Sequence, residues 1–102
     1  MTVGDVVSGI AGGVAGGATL DFQPAAGVEV VITAVGSEQS NTAVPGVIVG
    51  LYDGTDFAHV ATGGEGGWSG LQKIFLNNTI YLRLENNSGS AGDIAYCGIQ
   101  TK

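Results

Sequence analysis

Residues 19–36 read Thr-Leu-Asp-Phe-Gln-Pro-Ala-Ala-Gly-Val-Glu-Val-Val-Ile-Thr-Ala-Val-Gly. In an extended chain Leu20 and Phe22 share one face and Asp21 takes the other. Pro24 and Gly27 punctuate a turn. Residues 28–35 are then almost all β-branched or apolar, the pattern of a strand covered on both faces near the middle of a sheet. The stretch predicts two strands joined by a tight connection, with Leu20, Phe22, Val28, Val30 and Ile32 in the core.

The same signals recur down the chain. Residues 47–52 form an apolar run, Asp53-Gly54 marks a hairpin, and residues 56–61 return with Phe57 as their apolar anchor. Residues 71–76 read as another strand, and Asn77-Asn78 turns the chain. Residues 79–85 alternate, with Ile80, Leu82 and Leu84 on one face and Tyr81, Arg83 and Glu85 on the other. Residues 93–100 make the last strand. The polar segment 36–42 and the glycine-rich segment 62–70 read as exposed loops, long enough to pass between two sheets. With residues 2–7 as a short first strand the count rises from seven to eight. No segment holds a helical period. The expectation is an all-β protein, a compact antiparallel β-sandwich of jelly-roll type; a closed barrel is the other arrangement the pattern permits.

The chain has 102 residues, 19 of them glycine, and a net charge of −6. That length suits one domain. The negative charge repels phosphate backbones and anionic lipid headgroups, and Lys73, Arg83 and Lys102 form no run, so neither nucleic acid nor membrane is an expected partner. Between Ser8 and Gly17 the composition shifts to glycine and alanine, with Ile10 and Val14 as the large side chains. This predicts a glycine-rich N-terminal arm over residues 1–17, ordered only against a neighbour or its own domain, ahead of a sandwich over residues 18–102 that folds without it.

Chemistry-bearing residues are sparse. Cys97 is the single cysteine and His59 the single histidine. Cys97 lies in the run Ile94-Ala95-Tyr96-Cys97-Gly98-Ile99 and reads as a small buried hydrophobe. Ser69 lacks the Gly-x-Ser-x-Gly setting of a nucleophile elbow. Asp53 and Asp56 flank one turn and Glu65 follows in the next loop, but the spacing of a dedicated calcium loop is missing, so they read as turn chemistry. No enzyme activity, metal or cofactor is expected. Trp68, in the loop expected at 62–70, is the main aromatic outside the strands. With Tyr52, Phe57, Tyr81 and Tyr96 it would make a sugar-stacking platform; alternatively it caps the sandwich or sits in a subunit interface. Trp68, Glu65 and Tyr52 are thus the candidate ligand or interface residues.

The chain resembles small phage head-decoration, or cement, proteins with a β-sandwich fold. The resemblance rests on Leu20-Asp21-Phe22-Gln23-Pro24-Ala25-Ala26-Gly27-Val28-Glu29-Val30-Val31-Ile32-Thr33, on Leu51-Tyr52-Asp53-Gly54-Thr55, on Asn77-Asn78-Thr79-Ile80-Tyr81-Leu82, and on Tyr96-Cys97-Gly98-Ile99-Gln100-Thr101-Lys102. It implies a non-enzymatic virion protein on the capsid surface, often trimeric, clamping neighbouring major capsid proteins. In that role Val3, Val6, Val7, Ile10 and Val14 would contact capsid subunits or a sister protomer. The alternative is a tail- or head-fibre-associated module that binds carbohydrate or a receptor, with a host-surface glycan as ligand.

Overall fold

The computed structural model describes residues 2–39, 47–62, 67–87 and 91–102. Eight strands follow in order: β1 (Val6–Val14), β2 (Thr19–Phe22), β3 (Val30–Gln39), β4 (Val47–Tyr52), β5 (Phe57–Thr62), β6 (Gly67–Leu76), β7 (Tyr81–Asn86) and β8 (Gly92–Gln100). They form two four-stranded sheets, sheet A in the order β1-β8-β3-β6 and sheet B in the order β2-β7-β4-β5. All pairings are antiparallel.

The pairings nest: β1 with β8, β2 with β7, β3 with β6 and β4 with β5. The chain is therefore one long two-stranded ribbon, folded back at the β4–β5 turn and then rolled. Rolling adds the pairs β3–β8 and β4–β7. This is the jelly roll, two sheets of four strands each. The ribbon's tip is the Asp53-Gly54 turn. There the Asp53 carboxylate accepts the Thr55 and Asp56 N–H groups at 2.9 and 2.7 Å, and Gly54 takes φ +96°, a conformation that disfavours any other residue.

The core fills the space between the sheets. Val30, Ile32, Val35, Ile74, Leu76 and Ile94 from sheet A meet Val47, Val49, Leu82 and Leu84 from sheet B. The double-faced apolar run places β3 between β8 and β6, as its sequence predicts. Val30 and Ile32 are fully buried, and Leu20, Phe22 and Val28 pack half-buried against them.

The structure corrects several expectations. Strands β2 and β3 do not pair; the turn between them crosses from sheet B to sheet A. Only the β4–β5 connection stays within one sheet, because rolling a ribbon sends every other link across. Strand β3 continues to Gln39 and β6 begins at Gly67, so both expected loops begin or end as strand. The first strand is Val6–Val14 rather than residues 2–7. The glycine-rich stretch expected as an arm is thus the edge strand of sheet A, ordered on its own domain. Gly9 makes room for a neighbour: a Cβ there would lie 2.6 Å from the Tyr96 hydroxyl oxygen. Removing residues 1–17 would strip out a strand and the core residue Val7.

Candidate functional site

The two outer faces of the sandwich differ in chemistry. On sheet A, register aligns Val6 with Ile99, Ile99 with Val31 and Val31 with Phe75. Partners directly opposite in a ladder share a face, so these four side chains form one transverse row. Three gaps of ~4.8 Å make it roughly 14 Å long. Phe75 is 70% exposed, Val6 75% and Ile99 44%. Ile10, 78% exposed, extends the patch along β1. The row contains no charged residue; Lys73 and Asp93 lie elsewhere on the face.

The five predicted contact residues divide between the surface and the core. Val3, Val6 and Ile10 are exposed. Val7 points the other way, into the core, and Val14 is half-buried against it. Alternation along β1 separates Val7 from Val6 and Ile10, and the register slip between Ala11 and Val14 shifts the phase so that Val14 turns toward the core. Cys97, read from sequence as buried, is exposed. Strand β8 turns Ile94, Tyr96, Gly98 and Gln100 inward, which leaves Cys97 and Ile99 outward. Val31, Phe75 and Ile99 were missed as site residues. The available signal was an apolar residue too many for a half-buried strand, as in Ile74-Phe75-Leu76.

Sheet B carries a polar and aromatic cluster on its outer face. Asp21, Arg83, Gly50 and His59 align across it, next to Tyr81, Tyr52 and Phe57. Arg83 donates from Nε and Nη2 to the two Asp21 carboxylate oxygens, both at 2.8 Å. Its guanidinium lies 3.5 Å from the centre of the Tyr52 ring. Tyr81 meets Tyr52 edge-on at 5.7 Å, and Phe57 meets His59 at 4.8 Å. The bonds to Asp21 push the Arg83 guanidinium above its ordinary value, so it stays charged. Phe57 occupies the space over Gly50, where a Cβ would strike its ring.

This cluster is closed on itself. Arg83 already has its carboxylate and covers one face of Tyr52, so sugar stacking there would have to displace it. It acts as a strap across β2, β7, β4 and β5. Arg83→Ala is expected to lower stability by about 1–2 kcal/mol through the lost ion pair and ring contact, with Arg83→Lys restoring only part; urea unfolding of the three proteins measures it.

Of the other predicted ligand residues, Phe57 and Tyr81 join Tyr52, whereas Trp68 and Tyr96 do not. Trp68 lies in strand β6 of sheet A, paired with Ser37, near the end opposite to Tyr52. Tyr96 turns into the core against Phe22 at 5.3 Å. Glu65 falls outside the described residues. Asp53 is held below its ordinary carboxyl value by the Asp56 and Thr55 N–H groups, as turn chemistry requires. His59 and Cys97 face out from opposite sheets, so they make no dyad. Among the described residues no group of three or more His, Cys, Asp or Glu side chains has metal-binding geometry. No protein-family model matches the chain, and no curated protein matches it.

Proposed function

We propose that this protein is a non-enzymatic virion structural protein that decorates a capsid surface as a cement protein, with the outer face of sheet A docked against major capsid protein. The observation that carries the reading is the uncharged apolar row Val6–Ile99–Val31–Phe75, exposed at Val6, Ile99 and Phe75. Contiguous apolar surface of this kind marks a docking site. Burying one such side chain fully contributes ~1.5–3 kcal/mol, part of which offsets the entropy of association. Many copies on one lattice then add avidity. The jelly roll is itself common among capsid and lectin domains, an analogy of fold that supports either assembly or glycan binding. The closed Arg83–Tyr52 cluster favours assembly.

Co-sedimentation with cognate capsids lacking the protein tests this. Phe75→Asp is expected to weaken capsid binding at least 10-fold. His59→Ala, on the opposite face, is expected to bind normally. Equal binding by the two variants would remove sheet A as the docking face.

A further inference from the structure

We propose that β1 pairs with β1 of a second copy across a two-fold axis, joining two A sheets into one continuous eight-stranded antiparallel sheet. The inference rests on the state of the sheet edges and is independent of the capsid reading.

Each sheet has two edge strands, and three of the four are blunted in the ways folded proteins use against edge pairing. Strand β6 carries Lys73. Strand β2 has four residues, one of them Asp21. Strand β5 is bulged where the register slips between Val49 and Gly50. Strand β1 has no charge and no proline, and although its register slips between Ala11 and Val14, its ladder is regular over the six residues from Val6 to Ala11. A regular, uncharged run of six edge residues is a ready template for pairing with another chain.

Its free hydrogen-bonding groups fit a copy of itself. Gln100 donates its N–H to the Asp5 carbonyl. By the alternation of an antiparallel ladder, Val7, Gly9 and Ala11 use the same side of β1 toward β8. Val6, Ser8 and Ile10 therefore direct their N–H and C=O groups to the open edge, beyond which no strand of the described residues lies. A two-fold axis through Ser8 sets Ser8 opposite Ser8 of the second copy, and Val6 opposite its Ile10. About six backbone hydrogen bonds form between the chains. The same register brings together Val6 and Ile10, the two most exposed large apolar residues of β1, as cross-strand pairs. The axis is perpendicular to the sheet, so both outer faces lie on one side. One free edge takes one neighbour, so this contact makes a dimer and not the trimer that the family resemblance implies.

Light scattering of the full chain after size exclusion is expected to give twice the chain mass of 10.1 kDa. Ser8→Pro removes an outward N–H that β8 does not use, at an edge position where proline is tolerated. It is expected to raise the dimer dissociation constant at least 100-fold while leaving the circular dichroism spectrum and thermal midpoint in place. Ile10→Lys adds the missing edge charge and is expected to do the same. Ser8→Cys, made with Cys97→Ser because Cys97 lies opposite Ser8 in the register, is expected to form an interchain disulfide on mild oxidation, since hydrogen-bonded partners sit ~5.5 Å apart between Cα atoms. Thr19→Cys in the same background, on β2, is expected to remain uncrosslinked. A monomeric or trimeric wild-type protein, or a dimer that survives Ser8→Pro without crosslinking through Ser8→Cys, overturns the proposal.

Discussion

Gly98→Ala is expected to cost about 4 kcal/mol or more, the extreme of what single substitutions do. Gly98 sits in β8 between Val7 of β1 and Ile32 of β3. A Cβ there would overlap the Val31 carbonyl oxygen and lie 2.8 Å from the Ile32 Cα. Both are backbone atoms of β3, next to the register slip between Ile32 and Ala34. No rotamer change moves them, so relief requires β3 and β8 to part in the middle of sheet A. Glycine inside a strand often marks such a close approach. Gly12→Ala is the control: its Cβ would meet Asp93 Oδ1 at 3.6 Å, ordinary contact, and the change is expected within about 0.5 kcal/mol. Urea midpoints at unchanged slope compare the two. Equal effects would show that close packing is not what fixes glycine at this position.

Ile32→Ala is expected to cost about 3–5 kcal/mol, the upper part of the range for buried isoleucine. Ile32 is 0% exposed and stands in the central inward row with Val7, Gly98 and Ile74. Strands on both sides hold it, so the cavity left by truncation cannot collapse readily. A domain of this size has only ~5–15 kcal/mol of stability in total. The thermal midpoint should fall by about 15–25 °C. Ile32→Val, which removes one methyl group, should fall by about a quarter of that. A drop of a few degrees for the alanine variant would mean that the two sheets close over the gap.

Much of the architecture was legible in local pattern. The β-branched run at 28–35 announced a central strand, the alternation at 81–85 announced the faces of β7, and Asp53-Gly54 announced the hairpin that proves to be the ribbon's tip. The failures have physical reasons. The glycines of β1 read as flexibility, yet Gly9 is small because the Tyr96 ring lies against it. The run around Cys97 is apolar at almost every position, so nothing local sets its phase; Gly98, pressed against β3, sets it. The tight turn after Phe22 suggested a pair, but a turn does not state which sheet the chain enters next. The candidate site was the least legible part. Val6, Val31, Phe75 and Ile99 come from four strands distant in sequence, and only the register aligns them.

The place of β8 inside sheet A also constrains how the chain comes to be folded. β8 lies between β1 and β3 and is hydrogen-bonded to both, yet it is the last of the eight strands to be synthesised. Without it, β1 has no neighbour in sheet A and β3 has only β6, whereas sheet B needs no residue beyond Asn86 for its four strands. Closing sheet A therefore requires the last strand in the chain order to insert between the first and the third. Pairings this distant in sequence form slowly, and until they do the unprotected β1 edge and the apolar inner surface stay open to chaperones or to misassociation.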